Sequence, residues 1–227
     1  MGNVVRLLST LALRGAVVQL AEQYRAAKGV MLDADYAPTV GLLKRLREGE
    51  KADALILTRE GLDELVAEGV VVAASKVDLA RSWVGIAVKA GMPHPDISTE
   101  AALRKTLLAA RSVAYSRIGA SGIYFAELIQ RLGLAAEINA RATVTAGFTA
   151  ERLIAGEADL AVQQISELKQ VADIEVVGPI PYELQTAAVF TAGRMASSAK
   201  VAEADALLKY LASPEVAPVL RESGLEP

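Results

Sequence analysis

Ala54-Leu55-Ile56-Leu57 is a run of four apolar residues with no polar position in it. A strand that is buried on both faces has this composition, whereas a half-solvated strand alternates apolar and polar residues. Strands buried on both faces are typical of parallel sheets that are covered by helices. The run therefore predicts a parallel sheet.

The residues around this run alternate between strand and helix patterns. Strands are predicted over 4–8 and 30–36, and helices follow each strand up to residue 66. The first helix ends at Gly29, and its shared apolar face is formed by Leu13, Val17, Leu20, Ala21 and Tyr24. This βαβαβα order predicts an α/β fold.

The second half of the chain repeats the pattern after a strand predicted over 83–88. Further strands are predicted over 113–115, 142–144 and 158–162, and an apolar segment over 187–190 is the candidate for a return crossing. A final helix with Leu207, Leu208 and Leu211 is expected to pack on the first lobe. We therefore predict two lobes, 1–80 plus 190–227 and 84–186, with the two crossing strands as a hinge.

Composition excludes several classes of function. The chain of 227 residues is 52% hydrophobic and 22% charged, as globular proteins are, and its net charge of -3 argues against a nucleic-acid partner. It has no Cys and one His, His94, between Pro93 and Pro95 in a predicted exposed turn. A thiol nucleophile is thus excluded, a catalytic His94 is not expected, and no cofactor or side-chain metal site is predicted.

The amino terminus gives no targeting signal in this sequence. A strand begins almost at once after Met1, without a basic start, an apolar core or a small-residue cleavage site. We expect a periplasmic protein if a signal peptide was removed, and a cytoplasmic one if Met1 is the native start. No apolar stretch is long enough to insert into a membrane.

The segment Tyr115-Ser116-Arg117-Ile118-Gly119-Ala120-Ser121-Gly122-Ile123-Tyr124 predicts an anion site. It connects a strand to a helix through small residues, so backbone N–H groups at a positive helix end are exposed. Other small polar residues also follow predicted strands. The predicted ligand-binding residues are Ser9, Thr10, Thr39, Ser116, Ser121, Gly122 and Gln163, with Gln164 as an alternative to Gln163. Each of them alone is better explained as an ordinary helix cap or turn residue, whereas the whole set at strand ends favours ligand binding.

Several motifs resemble molybdate-type periplasmic binding proteins. They are residues 11–16, residues 37–46 with Gly49 and 52–54, residues 121–134, residues 156–160 and residues 178–185. The resemblance spans nearly the whole chain in consistent order. It implies the type II periplasmic-binding-protein fold, with two α/β lobes, a hinge of crossing strands and a ligand cleft between the lobes.

The resemblance does not specify molybdate as the ligand. That family usually has a hydroxyl at the start of the first helix, where this chain has Ala12, whereas Thr39 matches the second hydroxyl position. The segments 93–99 and 115–122 are also similar to a branch of the fold that includes aconitate isomerases. Those enzymes shift a double bond in a tricarboxylate.

Three functions agree with these observations. The first is a receptor that binds a small anion, an oxyanion or an organic carboxylate, and delivers it to an ABC-transporter permease. The second is an isomerase of an unsaturated di- or tricarboxylate, which needs the same cleft and an acid/base group that the sequence does not identify. The third is a cytoplasmic ligand-sensing module. Arg14 and Arg117 are candidates to bind a carboxylate.

Overall fold

The chain folds into two compact units. The computed structural model describes residues 4–227. The first unit contains the described residues up to Ser82 together with Ala188–Pro227, and the second contains Trp83–Ala187. Each unit has its own sheet and its own apolar core.

The strands and helices alternate along most of the chain. Up to Ser82 they are β1 (Val4–Ser9), α1 (Leu11–Lys28), β2 (Met31–Tyr36), α2 (Thr39–Arg47), β3 (Ala54–Thr58), α3 (Arg59–Ala67) and β4 (Val77–Ser82). The second unit contains β5 (Val84–Lys89), α4 (Glu100–Ala109), β6 (Val113–Tyr115), α5 (Ala120–Arg131), α6 (Ala135–Asn139), β7 (Thr143–Val144), α7 (Glu151–Ile154), β8 (Leu160–Gln164), α8 (Ile165–Leu168) and β9 (Ile174–Pro179). The chain ends with β10 (Ala188–Arg194), α9 (Val201–Leu211) and α10 (Ala217–Glu222).

The sheet of the first unit has the strand order β2-β1-β3-β10-β4. β1 pairs in parallel with both β2 and β3, and every residue of β3 is buried, as its apolar composition predicts. β10 pairs antiparallel with β3 and β4. The expectation of a parallel sheet therefore holds for β1 to β3 but not for the whole sheet, which is mixed because β10 runs in the opposite direction.

The second unit repeats this arrangement with the strand order β7-β6-β8-β5-β9. β6 pairs in parallel with β7 and β8, whereas β5 pairs antiparallel with β8 and β9. The core includes Tyr115 and Phe125, whose ring centroids lie 5.3 Å apart. β6 and α5 are thereby packed against each other on either side of the loop that joins them.

The first core combines residues from both ends of the chain. Leu7 on β1 and Leu20 on α1 belong to the same apolar cluster as Leu207 and Leu211 on α9. The predicted packing of the final helix on the first lobe is therefore confirmed. Burial of these leucines ties the two segments of the first unit together.

The chain passes between the units at two points. Trp83 alone separates β4 from β5, and its ring lies 4.7 Å from that of Tyr182 within the second unit. The buried Gln185 side chain accepts a hydrogen bond from the Val84 N–H at 2.9 Å and donates to the Val84 carbonyl at 3.1 Å. Gln185 thus holds the start and the end of the second unit together.

Candidate functional site

The carboxyl ends of β1, β2 and β3 lie side by side at one edge of the first sheet. These strands are parallel and adjacent, and they end at Ser9, Tyr36 and Thr58. The segments that begin α1, α2 and α3 therefore start at this edge. Helix N-termini carry partial positive charge and N–H groups without intrahelical partners, so the edge suits an anion.

Ser9 and Thr10 join β1 to α1, and both are buried. The Thr10 N–H donates to the Ile56 carbonyl at 2.9 Å, and the Ala37 N–H donates to the Ser9 carbonyl at 3.2 Å. Ser9 Oγ donates to the Thr10 carbonyl at 3.2 Å, whereas Thr10, the N-cap of α1, makes no side-chain capping bond. The Thr10 hydroxyl is therefore not used to cap α1, and the hydroxyl of Ser9 stabilises the turn.

Thr39 begins α2 at this edge, and its side-chain hydroxyl lacks a hydrogen-bond partner among the described residues. Its Oγ1 is buried and forms no hydrogen bond with any residue between 4 and 227. A Cβ added to Gly61 would lie 2.8 Å from Thr39 Cγ2, so the glycine makes room for the threonine between α2 and α3. A buried hydroxyl without a partner costs about 1–3 kcal/mol. A bound anion would remove that cost by accepting its hydrogen bond.

Capping differs among the longer helices. The side chains of Thr58 and Thr99 cap α3 and α4 by accepting from the N–H groups of Gly61 and Ala102. In the described part of the chain, α1, α2, α5 and α9 begin without a side-chain cap. Three of these four follow the strand ends predicted to bind a ligand, and their first N–H groups are not occupied by a capping side chain.

The second set of predicted residues follows β6. Ser116 is buried, and its Oγ accepts hydrogen bonds from the N–H groups of Ile118 and Gly119, both at 3.2 Å. These bonds form the tight turn before α5 and leave the Ser116 hydroxyl hydrogen free to donate. The turn therefore presents a hydroxyl donor directly before a helix N-terminus.

Gly122 has a structural role that the sequence analysis missed. A Cβ at this position would lie 1.6 Å from the Ser116 carbonyl oxygen, so only glycine lets α5 begin this close to the turn. The Gly122 N–H donates to the Gly119 carbonyl at 3.1 Å and is therefore already occupied. Ser121 is 2% exposed and stays the better candidate for direct contact with a ligand.

Each unit has an arginine that is close in sequence to its predicted donors. Arg117 is exposed within the turn and forms no ion pair with any residue in the described range. The guanidinium carbon of Arg14, on α1, lies 6.0 Å from the ring centroid of Tyr36 at the end of β2. Arginine binds carboxylates through paired N–H groups, so both side chains stay candidates for a carboxylate ligand.

The segment 145–149 also lies at the carboxyl edge of the second sheet, and the sequence analysis did not predict it. It follows β7, and the Thr145 N–H donates to the Tyr115 carbonyl at 3.3 Å. The Gly147 N–H lies 3.4 Å from Thr145 Oγ1. Ser116 was predicted because it is a small polar residue directly after a strand. The same pattern follows the short strand 143–144, so the sequence could have indicated this segment.

Gln163 is engaged by the chain itself. Its Oε1 accepts from the Thr149 N–H at 2.8 Å and from Thr149 Oγ1 at 3.0 Å, and its Nε2 donates to the Gly147 carbonyl at 3.3 Å. A further bond joins it to Glu167. Its polar atoms are thus used to hold segment 145–149, which favours a positioning role over direct ligand contact.

Glu167 is a buried carboxyl group on α8. Burial raises its pKa to about 7, and hydrogen bonds from the Gln164 N–H and the Gln163 side chain act in the opposite direction. An acid with such a pKa changes its charge near neutral pH. The group was not singled out from the sequence, where Glu167 is one of many acidic residues on short helices.

Other features of the described residues limit the chemistry. Within 4–227 no group of three or more His, Cys, Asp or Glu side chains could hold a metal ion. His94 is exposed, as predicted, with Nε2 2.8 Å from a Glu175 carboxylate oxygen. No helix among the same residues has the length and apolarity that a membrane span requires.

Sequence comparison relates the chain to one family. The model of a family described as bacterial extracellular solute-binding protein matches residues 5–226. A curated relative, an aconitate isomerase from a Pseudomonas species, is 38% identical over 232 residues, which cover 99% of this chain and 88% of that protein.

Comparison with solved structures identifies the fold. The periplasmic molybdate-binding protein of Azotobacter vinelandii is similar with a TM-score of 0.84 at 17% identity, over 98% of this chain and 99% of that one. The sulfate-binding protein SubI of Mycobacterium tuberculosis has a TM-score of 0.79 at 15% identity, over 99% and 87%. These likenesses confirm the predicted type II periplasmic-binding-protein fold.

Proposed function

Because the chain belongs to the bacterial extracellular solute-binding protein family, we propose that it is a receptor for a small organic polycarboxylate anion. The observation that carries the proposal is the buried Thr39 Oγ1 without a partner at the first turn of α2. In the same unit, Thr10 and the uncapped start of α1 add a hydroxyl and N–H groups. The second unit has its own set of donors in Ser116, Ser121 and the uncapped start of α5. In this role an ABC-transporter permease is the partner.

Three observations favour a carboxylate over a tetrahedral oxyanion. Ala12, which is buried in the first turn of α1, stands where molybdate-type proteins usually place a hydroxyl, so a cage for an oxyanion lacks one donor. Arg117 adds an exposed cation that is suited to a carboxylate group. The 38% identical relative is named for a reaction of a tricarboxylate.

Titration calorimetry tests this proposal. The purified chain is titrated with cis-aconitate, trans-aconitate and citrate, and separately with molybdate and sulfate. We expect at least one carboxylate to bind more tightly than both oxyanions. Tighter binding of molybdate or sulfate, or no binding of any of the five anions, would contradict the proposal.

A pair of threonine variants tests the residues involved. Thr39→Val keeps the shape of the side chain but removes its hydroxyl, and Thr99→Val is the matched control at the cap of α4. We expect Thr39→Val to bind the carboxylate about tenfold more weakly, since a hydrogen bond to a charged group is lost. Thr99→Val should bind it as the unchanged chain does.

The aconitate isomerase relative favours a second candidate function, isomerisation of an unsaturated tricarboxylate. The reaction removes a proton from a methylene carbon, moves the double bond and returns a proton to the other end of the allylic system. NMR of cis- or trans-aconitate in D₂O with the purified chain separates the candidates. An enzyme exchanges deuterium into the substrate and interconverts the isomers, whereas a receptor leaves both unchanged.

A further inference from the structure

Glu167 lies one hydrogen bond behind the carboxyl edge of the second sheet. Glu167 is 7% exposed, and its carboxyl group accepts hydrogen bonds from the Gln163 side chain and from the Gln164 N–H. Gln163 in turn holds both Gly147 and Thr149. A chain of hydrogen bonds therefore connects a buried titratable group to segment 145–149.

The charged groups of the elements around Glu167 are exposed. Lys169 directly follows α8 and is exposed. α8 packs on β5, β8 and β9, whose charged residues are Lys89 and Glu175. Lys89 is exposed at the far end of β5, and Glu175 is exposed and paired with His94. Segment 145–149 contains no charged residue. Burial and the two hydrogen bonds are thus what determines the charge of this group.

A negative charge on Glu167 would oppose an anion bound at the same sheet edge. In the interior of a protein, charges of equal sign repel each other over distances of about 10 Å, because screening by water is weak there. An uncharged carboxyl group bonded to Gln163 does not produce this repulsion. Its protonated and ionised forms must therefore differ in their effect on an anion near Ser116 and segment 145–149.

We propose that the protonation state of Glu167 regulates anion binding, so that binding of the anion is coupled to uptake of a proton by this residue. The inference rests on the proposed function, because it concerns the anion that is proposed to bind Ser116 and Ser121. Linkage requires that affinity decreases as Glu167 ionises and that the bound anion favours the protonated form. The protein would then bind its anion more tightly in an acidic medium.

Calorimetry of trans-aconitate at pH 6.0 and pH 8.5 tests the proposal. The wild type is compared with Glu167→Gln, which fixes an uncharged side chain of the same shape. Glu137→Gln is the control for removal of an exposed carboxylate, and His94→Gln is the control for the single histidine. Ionisation of the ligand itself affects all four proteins equally and cancels in their ratios.

We expect wild type, Glu137→Gln and His94→Gln to lose about tenfold more affinity than Glu167→Gln between the two pH values. Equal losses in all four proteins would overturn the inference and leave the proposed function intact. If trans-aconitate binds none of them at either pH, citrate and cis-aconitate are tested in the same way, and failure of all three overturns both proposals.

A second measurement covers the case in which Glu167→Gln does not fold. The wild type is labelled with ¹³C at the glutamate carboxyl carbons, and the resonance of the buried carboxyl is followed against pH by NMR. Saturation with the anion should shift its titration to higher pH. A midpoint that is the same with and without the anion would overturn the inference.

Discussion

At the scale of single residues, the sequence predicted where the polar groups lie but not what they bond. Thr10, Thr39, Ser116 and Ser121 follow strand ends, as their positions in the pattern indicated. The sequence cannot show that the Gln163 side-chain amide forms hydrogen bonds with Thr149 and Gly147, because these residues lie 14 and 16 positions away in the chain.

Thr39→Val should stabilise the ligand-free chain while it weakens anion binding. The substitution replaces a buried hydroxyl that has no partner within the described residues by a methyl group of the same size. We expect the free energy of unfolding to rise by about 1 kcal/mol. Urea unfolding measures this change. A decrease in stability would mean that the hydroxyl has a partner in the free protein.

Glu167 should make the stability of the protein depend on pH. Its pKa rises from 4.5 to about 7 on folding, so the folded chain holds a proton that the unfolded chain has released between these values. The contribution of Glu167 to the free energy of unfolding is fully present below pH 4.5 and decreases as pH rises. It levels off above about pH 7, after a total loss of about 3 kcal/mol.

Urea unfolding of wild type and Glu167→Gln between pH 5 and pH 8 measures this dependence. Acids whose pKa is lowered, such as Asp35 and Asp78, act in the opposite direction below pH 4 and affect both proteins alike. The difference in unfolding free energy between the two proteins should therefore change across this range. A constant difference would contradict the expected buried titration.

At the scale of elements, every strand inside a sheet was predicted, and so were two of the four edge strands, β2 and β7. β1 and β3 lie inside their sheet and read as apolar runs. β4 and β9 were not predicted, and both are edge strands of their sheets. β4 mixes exposed Asp78 and Arg81 with buried residues, and β9 ends in Gly178-Pro179, a sequence that normally argues against a strand.

Gly122→Ala should disrupt the start of α5. The added methyl group would lie 1.6 Å from the Ser116 carbonyl oxygen, and a backbone atom cannot move aside as a flexible side chain does. We expect a loss of stability of about 2 kcal/mol or more together with loss of anion binding.

Gly41→Ala is the matched control for this helix start. It lies inside α2, and its added methyl group would make an ordinary contact at 3.8 Å with Ala37 Cβ. Helix propensity predicts a gain of about 0.5–1 kcal/mol for this substitution. Thermal unfolding followed by circular dichroism compares the two variants, and similar stabilities for both would refute the close approach of α5 to Ser116.

At the scale of the whole molecule, the order of elements was enough to predict the α/β class, and the fold family followed from the resemblance of the motifs. The ligand does not follow from that fold. Proteins named for molybdate and for sulfate share it with this chain at 15–17% identity. The choice among ligands depends on particular positions such as Ala12, Thr39 and Arg117, and for that reason the proposed function is tested there.

The second unit is, in genetic terms, an insertion into a strand hairpin of the first. Ser82 and Ala188 are direct partners in the antiparallel pair of β4 and β10, so the chain leaves and re-enters the first unit at neighbouring points. A two-residue Asn-Gly turn between Ser82 and Ala188 has the length and conformation to close that hairpin. The hydrogen bond between the Val84 N–H and the Gln185 side chain holds the two ends of the inserted segment close together.

Two shortened genes should therefore each encode an autonomous module. One joins residue 82 to residue 188 through Asn-Gly, and the other encodes residues 83–187 alone. We expect both products to give dispersed NMR spectra and cooperative thermal transitions, because each retains its own sheet and apolar cluster. A product that stays unfolded would mean that its core depends on the rest of the chain. If both fold, a fusion or a foreign domain can be grafted at this junction.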